Sequence, residues 1–220
     1  MEGKYVFLHN PKCAGSTVHS YLPNEDWHSL DAAMSNRSYD TEQKNRASKY
    51  GYHCKPHHYT LEQHHNMKIF NKESFLYAWK FTFVRNPFDR LVSVYHYSQD
   101  TYGTKSNVAF EEFIQKVKKA VEMKEYYKWL GSTQPNHICP QYLYVYNKGN
   151  KLADYVGRME NFDVDLQNIF EQLKLAPLSS INKVNMTPKR DKYRKYYTDD
   201  TKRVVEKIYE KDLNLFNYEF

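Results

Sequence analysis

A stretch near the amino terminus, residues 4–22, constrains the fold of this chain more than any other feature of the sequence. Its apolar run from Tyr5 to Leu8 has the composition of a short buried strand. A tight loop over residues 9–15 follows. The next segment repeats apolar residues at helical spacing, at Val18, Tyr21 and Leu22. The pattern predicts a strand, a loop and a helix in immediate succession.

This loop has the chemistry of an anion site. The first backbone N–H groups of a helix lack partners within the helix, and the helix dipole favours negative charge there. Lys12 adds a mobile positive charge, and Gly15 lets the backbone approach a phosphate closely. Ser16 and Thr17 offer hydroxyl donors. The loop is not a Walker A sequence, because its lysine precedes its glycine. An ordinary strand–turn–helix corner with a solvated lysine is the alternative.

The strongest strand signal lies at residues 75–84, which are rich in aromatic and β-branched side chains. Arg85 follows at its carboxyl end. Asn86 suits a helix N-cap, Pro87 the first helical position and Asp89 the positive end of the helix dipole. The predicted helix then carries Leu91, Val92, Val94 and Tyr95.

Apolar periodicity predicts the remaining elements. Helices are expected at residues 41–49, 61–70, 110–129, 164–175 and 200–215. Strands are expected near residues 51–53, 142–146 and 155–156, with a turn at 147–150 and a basic, irregular segment at 182–197. Strands alternating with helices predict an α/β fold: a P-loop-like three-layer domain with a central, mainly parallel sheet flanked by helices. Residues 1–220 are expected to form one domain.

Composition limits the partners and the compartment. The formal net charge of +6 favours an anionic partner. Three dispersed cysteines, Cys13, Cys54 and Cys139, do not form a disulfide framework, so a reducing compartment is expected. The sequence has no apolar run long enough for a membrane span. The first strand leaves no room for a signal peptide, which predicts a cytoplasmic protein or a catalytic fragment without its anchor.

Two motifs resemble those of sulfotransferases that use 3′-phosphoadenosine 5′-phosphosulfate (PAPS) as donor. Residues 11–16, Pro-Lys-x-x-Gly-Ser, are similar to the family's 5′-phosphosulfate loop. Arg85 and Ser93 resemble the arginine and serine that bind the 3′-phosphate. The alternative is that Arg85 pairs with Asp89 and that Ser93 packs on a neighbouring helix. The resemblance implies donor contacts from the loop and from two later basic residues: Lys12, Cys13, Ala14, Gly15, Ser16, Thr17, Arg85, Ser93, Lys189 and Arg190.

Three later segments resemble the carbohydrate (Golgi-type) branch, sulfotransferase family 2. They are a His-x-x-Pro-Gln segment at 137–141, a Gly-Arg-x-Glu block within 155–163 and the ending at 212–220. The resemblance runs along essentially the whole chain. It implies transfer of a sulfuryl group from PAPS to a hydroxyl or amino group of a carbohydrate, for which an anionic polysaccharide suits the positive charge. The expected product is adenosine 3′,5′-bisphosphate (PAP), and the expected substrate contacts are His57, His137, Gln141 and Glu160. Because the branch's membrane anchor is missing here, a Golgi-lumen fragment is the alternative to a cytoplasmic protein.

The resemblance also implies roles in the chemistry. Lys12 stabilises the leaving phosphate, and a histidine or carboxylate base takes the acceptor proton. The candidate base is His58, which begins a His-x-Thr segment similar to one in this branch, with Thr60 expected to orient its ring. His57 and His53 are the rival bases, and Glu160 is the next candidate.

Other interpretations of the same residues stay open. The histidines are also compatible with a solvated surface, or with a zinc site built from His53, Cys54, His57, His58 or His64. Their spacing lacks the paired pattern of zinc sites, so no metal is expected. The rival functions are a P-loop kinase and a non-catalytic polyanion or glycan binder with a basic patch at 183–194. No nucleic acid partner is expected, and the sequence does not predict the oligomeric state.

Overall fold

The computed structural model describes residues 5–22, 45, 49, 58–67, 75, 77–101, 108–125, 136–182 and 192–220. The strands are β1 (Tyr5–Phe7), β2 (Trp79–Val84), β3 (Tyr146–Asn147), β4 (Asn150–Lys151) and β5 (Tyr155–Arg158). The α-helices are α1 (Gly15–Tyr21), α2 (Leu61–Met67), α3 (Pro87–Thr101), α4 (Phe110–Glu122), α5 (Phe162–Gln172), α6 (Asp199–Ile208) and α7 (Glu210–Phe216). Short 3-10 helices span Gln141–Tyr144, Met159–Asn161 and Tyr193–Tyr196.

Strands β1, β2 and β5 form a parallel sheet with β2 in the centre. The register of the sheet is given by Phe81 in β2, which pairs with Phe7 of β1 on one side and with Tyr155 of β5 on the other. Because the three strands are parallel, the segments that follow them leave the sheet on the same side, at the carboxyl ends of the strands. This side is called the carboxyl edge of the sheet. That edge therefore collects the loop after β1, the segment after Val84 and the segment after Arg158.

Side chains alternate between the two faces of the sheet, as the strand repeat of two requires. One face packs against α1 and α5 through Tyr5, Phe7, Phe81, Phe83, Val18, Leu22, Phe162, Leu166, Ile169 and Phe170. The other face packs through Val6, Leu8, Val84, Leu61, Val145, Phe216 and Tyr218. The predicted α/β architecture, with a mainly parallel sheet covered by helices, is confirmed.

A second apolar cluster joins α3, α4 and α6. Its buried members include Phe88, Leu91, Val92, Phe113, Ile114, Val117 and Val205. Helix α3 begins as its sequence predicts, because Asn86 Oδ1 accepts a hydrogen bond of 3.0 Å from the Phe88 N–H. This cluster supports α3 along its length, and α3 begins directly beyond the edge of the sheet at which Arg85 lies.

Three predicted elements are wrong in part. The predicted strand over 142–146 is a 3-10 helix at Gln141–Tyr144, followed by the short hairpin β3–β4. The hairpin turns at Lys148 and Gly149, whose φ angles of 49° and 86° are those a two-residue turn needs. Strand β2 begins at Trp79 rather than at residue 75, and α4 ends at Glu122 because Lys124 adopts a left-handed φ of 54°.

The predicted last helix is two helices, α6 and α7, which meet at Tyr209. The Tyr209 hydroxyl is buried and donates to the Ile138 carbonyl oxygen at 2.5 Å. The predicted strand at 51–53 and most of the predicted helix at 41–49 lie outside the described residues. None of the helices in the described part of the chain combines the length and the apolar character needed to cross a bilayer.

Candidate active site

The loop after β1 contains two residues with a left-handed backbone. The φ angle is 66° at Lys12 and 59° at Ala14, in a region that costs a non-glycine residue about 1–2 kcal/mol. Helix α1 starts next, with no acidic residue in its first turn and an N-cap residue, Ala14, whose side chain cannot cap it. Ser16 is exposed and Thr17 is buried. Backbone strain beside an uncapped helix start suits an anion-binding loop.

The sequence suggested that Gly15 lets the backbone approach a phosphate, but the structure shows a steric need for glycine at this position. A Cβ at this position would overlap the imidazole ring of His9. That ring is also in contact with Phe7, with ring centroids 5.6 Å apart. Glycine is therefore needed so that His9 can lie against the start of α1. Sequence reasoning missed His9, whose only signal is its position between β1 and the loop.

Arg85 brings the second motif into contact with the first. Its Nη1 donates to the Lys12 carbonyl oxygen at 3.2 Å, and its Nε and Nη2 bind Asp89 Oδ2 at 2.7 and 2.6 Å. The pairing with Asp89 that the sequence left open is thus present, together with the contact to the loop. A guanidinium has five N–H donors, so these three bonds within the described residues leave Arg85 two donors for an anion.

Helix α3 lies beside the same loop. Asp89, Ser93 and Tyr97 are spaced four residues apart and therefore share one face of the helix. The Lys12 ammonium lies 3.9 Å from the centroid of the Tyr97 ring. Arg85 and Tyr97 both contact Lys12. Ser93 lies one helical turn before Tyr97 and is 4% exposed. Sequence reasoning missed Tyr97, although its spacing from Ser93 was a usable signal.

A buried arginine forms hydrogen bonds to the main chain of the Lys12 loop. Arg90 is 1% exposed, and it donates to the Pro11 carbonyl oxygen at 3.1 Å and to the Cys139 carbonyl oxygen at 2.8 Å. Its Nη2 is also buried, without a hydrogen-bond partner among the described atoms. Arg90 therefore connects the Lys12 loop to the segment that carries His137. It was not recognised from the sequence, where one helical turn separates it from Ser93.

Three histidine rings, from separate segments of the chain, lie close together beside Tyr97. The His58 ring contacts His137 and His9, with centroid separations of 5.0 and 4.8 Å and nearly perpendicular planes. The His137 ring lies 5.4 Å from the ring of Tyr97. A continuous series of rings therefore joins the expected base, His58, to the ring over which the Lys12 ammonium lies.

The main chain of His58 is held in place by two side chains. Its carbonyl oxygen accepts hydrogen bonds from Asn136 Nδ2 at 2.7 Å and from the Tyr144 hydroxyl at 3.0 Å. Thr60 has a different role from the expected one. Its N–H donates to Gln63 Oε1 at 2.8 Å and its hydroxyl accepts from the Gln63 N–H at 3.4 Å, a reciprocal pair that caps α2.

Gln141 is fully buried and connects the two donor motifs. Its Oε1 accepts from Asn10 Nδ2 at 3.1 Å and from the Arg85 N–H at 2.9 Å. Its Nε2 donates to the Arg85 carbonyl oxygen at 2.7 Å. These bonds give Gln141 a structural role, and the substrate contact that the resemblance implies for it stays a prediction. Gln141 therefore holds the ends of β1 and β2 in register.

Asp212 fixes Gln141 in turn. Its two carboxylate oxygens accept the backbone N–H groups of Gln141 and Tyr142 at 2.7 and 2.8 Å. Burial raises the pKa of Asp212 to about 6, and the two N–H donors and the nearby Arg90 guanidinium oppose that rise. A carboxylate at the start of this 3-10 helix explains why the segment turns rather than extends.

Glu160 braces the edge of the sheet. Its Oε1 accepts the Asn86 N–H at 2.8 Å and its Oε2 accepts the Tyr218 hydroxyl at 2.7 Å. Burial, together with the neighbouring Glu160 charge, raises the pKa of the Tyr218 hydroxyl. Both carboxylate oxygens of Glu160 are thus engaged with the start of α3 and with the last residues of the chain. This position favours a supporting role over contact with the acceptor.

Cys13 contributes to packing beneath the loop. It is 1% exposed, and its thiol lies 3.4 Å from Gln141 Oε1. Burial raises the pKa of this thiol to about 12, so it stays protonated at neutral pH. The donor contact expected of Cys13 stays a prediction, and burial of the thiol limits that contact to the backbone.

Several expected site residues lie outside the described residues: His53, Cys54, His57, Lys189 and Arg190. Of the residues that the structure does describe, no group of three or more histidine, cysteine or acidic side chains is placed to hold a metal ion. Of the expected site residues, the structure brings Lys12, Arg85, Ser93, His58 and His137 together with Tyr97 into one candidate site.

The parallel sheet flanked by helices defines an α/β protein, and in open sheets of this class ligands usually bind beyond the carboxyl ends of the strands. A family model described as the sulfotransferase family matches residues 2–219. Since this match covers nearly all of the sequence, the chain belongs to the sulfotransferase family, as a member of sulfotransferase family 2. No curated protein and no solved structure matches it significantly.

Proposed function

We propose that this protein transfers a sulfuryl group from PAPS to a hydroxyl or amino group of a carbohydrate acceptor, within one domain. The observation that carries the proposal is the contact between the two donor motifs, where Arg85 Nη1 lies 3.2 Å from the Lys12 carbonyl oxygen. Segments 73 positions apart in sequence meet there and contribute a lysine, an arginine and a helix start. This combination suits a ligand with phosphate groups at two positions.

The residues of the site fit PAPS. The backbone of residues 12–17, with its two left-handed positions, binds the 5′-phosphosulfate, and Lys12 contributes the positive charge. The two remaining donors of Arg85 bind the 3′-phosphate, with the Ser93 hydroxyl on the same helix face. Lys189 and Arg190 complete the charge around the nucleotide in this proposal, as the family resemblance implies.

The chemistry divides between the two sides of the site. When bound, PAPS supplies the sulfuryl group, whose sulfur bonds to the acceptor oxygen as its bond to the bridging phosphate oxygen breaks. The Lys12 ammonium neutralises the charge left on the phosphate. His58 accepts the acceptor proton, and His137 forms the adjoining wall. Main-chain anchoring of His58 by Asn136 and Tyr144 keeps this base in position.

A thermal-shift panel tests the proposal. PAP at about 100 times its dissociation constant stabilises a single site by about 2.7 kcal/mol, or roughly 5–10 °C for a chain of this size. We expect PAP to raise the melting temperature by that amount, with much smaller shifts from adenosine 5′-monophosphate, ATP–magnesium and heparin. Arg85→Ala is expected to remove the advantage of PAP over adenosine 5′-monophosphate.

A matched control removes an equal charge elsewhere. Lys119 is exposed on α4, so Lys119→Ala is expected to keep the full response to PAP. A response to ATP–magnesium as large as that to PAP would indicate a kinase. A response to heparin alone would indicate a non-catalytic polyanion binder. Sulfate transfer to a panel of glycans then identifies the acceptor, and exclusive activity on phenols or steroids would contradict a carbohydrate acceptor.

A further inference from the structure

We propose that Tyr97 is a positioning residue that holds the Lys12 ammonium at the reaction centre. The functional part of this inference rests on the proposed role of Lys12 in sulfuryl transfer, whereas the contact itself does not. The structural basis is the separation of 3.9 Å between Lys12 Nζ and the centroid of the Tyr97 ring. A cation within about 6 Å of a ring face is attracted by the ring quadrupole.

The main chain of the loop is already fixed near Lys12. Arg90 Nε binds the Pro11 carbonyl oxygen and Arg85 Nη1 binds the Lys12 carbonyl oxygen, at 3.1 and 3.2 Å. A lysine side chain has several rotatable bonds, so a fixed backbone does not determine where its ammonium lies. Contact with the Tyr97 ring restrains the far end of this side chain. Lys12 is therefore held at both ends.

Helix α3 makes this arrangement rigid. Tyr97 lies on the face that also carries Asp89 and Ser93, and Asp89 binds the guanidinium of Arg85. One helix face therefore orients both cationic side chains of the proposed donor site. Since α3 packs into a buried apolar cluster through Phe88, Leu91 and Val92, this face cannot rotate independently.

The Tyr97 ring also contacts both Lys12 and the histidine rings. Its ring lies 5.4 Å from the ring of His137, which lies 5.0 Å from that of His58. A group held between the lysine and the histidines is thus bounded on one side by the tyrosine ring. An ammonium is attracted to a ring face by the ring quadrupole and to an anion by its charge, so one contact does not exclude the other.

A cation–π contact of this kind is worth about 0.5–2 kcal/mol, which corresponds to a factor of about 2–30 in an equilibrium constant or a rate. Tyr97→Leu is expected to lose this factor in PAP affinity and in kcat. Tyr97→Phe keeps a ring and is expected to stay within about twofold of the wild type. The tyrosine hydroxyl has no part in the proposed contact.

A measurement without any ligand tests the contact directly. Lysines are dimethylated with 13C-formaldehyde and a borohydride reductant, which preserves their charge. The Lys12 signal is the one absent from the Lys12→Arg variant. We expect this signal to be displaced upfield by the Tyr97 ring and to return to the ordinary lysine position in Tyr97→Leu. Tyr97→Phe is expected to keep the displacement. So is the control Tyr95→Leu, because Tyr95 faces Phe110 and Phe113 on the same helix.

A double-mutant cycle tests the functional part. PAP affinity is measured by calorimetry in the wild type, Tyr97→Leu, Lys12→Met and the double variant. Tyr97→Leu is expected to weaken binding by about 2–30-fold when Lys12 is present and by less than about twofold when it is replaced. Equal effects in both backgrounds would overturn the proposal, as would an undisplaced Lys12 signal in the wild type. If the wild type does not bind PAP, the proposed function fails, and the Lys12 signal alone then decides whether the contact exists.

Discussion

Replacing Gly15 with alanine tests why the loop ends in glycine. Gly15 begins α1 without a positive φ, so alanine can adopt the same backbone conformation. The substitution reduces the freedom of the unfolded chain, which alone stabilises a protein by about 0.4–1 kcal/mol. In this structure, however, the new Cβ would overlap the His9 ring, and overpacking of that kind costs about 1–3 kcal/mol. The expected net effect is a destabilisation of about 1–2 kcal/mol.

The His9 ring has little room to move away. It is in contact with Phe7 and with His58, at centroid separations of 5.6 and 4.8 Å. Removing the ring in His9→Ala should therefore change the sign of the effect. In that background, Gly15→Ala is expected to be neutral or to stabilise by up to about 1 kcal/mol, since only the entropy term remains.

Urea denaturation of the four proteins in this cycle measures these free energies of unfolding. In a thermal scan, Gly15→Ala alone should lower the melting temperature by about 2–8 °C relative to the wild type. The control is Gly149→Ala, where φ is 86° and, apart from its chain neighbours, no described residue has an atom within 4 Å of an added Cβ. Its destabilisation comes from backbone strain, so it should be the same with and without the His9 ring. If Gly15→Ala is as stable as the wild type, or is equally destabilised in His9→Ala, the steric explanation is refuted.

Three further substitutions test the site. Arg85→Ala should abolish the preference for PAPS over adenosine 5′-phosphosulfate, measured as a ratio of kcat/KM; equal weakening with both donors would contradict a role at the 3′-phosphate. His58→Ala should lower kcat by roughly 10²-fold with little change in PAP affinity, whereas loss of a residue that binds the donor should weaken PAP binding as well. Burial raises the pKa of Asp212 from 3.8 to about 6, so the unfolded chain releases this proton at a lower pH than the folded protein does. The free energy of unfolding is therefore highest below pH 3.8, where both states are protonated, and it decreases as the pH rises through 6. In the wild type, the free energy of unfolding measured with urea should decrease by about 1 kcal/mol between pH 5 and 7. Asp212→Asn should remove this pH dependence. It should also lower the free energy of unfolding at both pH values, because one hydrogen-bond acceptor is lost.

The elements that the sequence predicted well have local causes. Strand β1, the loop and α1 follow from an apolar run and helical spacing within a single stretch of chain. The start of α3 follows from Asn86 and Pro87, which act on their immediate neighbours. Residues 142–146 misled the prediction because their aromatic composition favours a strand. The carboxylate that turns this segment is Asp212, 70 positions away from Tyr142, and local patterns contain no trace of it.

The contact between the two donor motifs was foreseeable, because parallel strands end at a common edge of the sheet. Which face of α3 points toward Lys12 depends on how the helix packs, and Tyr97 was missed for that reason. Gln141 and Glu160 show what a motif leaves open, since the sequence did not indicate their bonds within the protein. A motif indicates that a residue is close to a site, whereas only coordinates show which of its atoms are already used.

The left-handed backbone of the Lys12 loop requires an explanation, since strain of this size persists only where the surrounding structure imposes it. The explanation lies in three successive residues of the loop, each bonded to a different partner. The Pro11 carbonyl accepts from Arg90, the Lys12 carbonyl accepts from Arg85, and the Cys13 thiol lies against Gln141, at 3.1, 3.2 and 3.4 Å. Each net hydrogen bond contributes about 0.5–1.5 kcal/mol, with charged donors at the upper end, so together they offset about 1–2 kcal/mol at each of the two strained residues. These contacts explain how a loop with a single glycine can hold two left-handed residues in place.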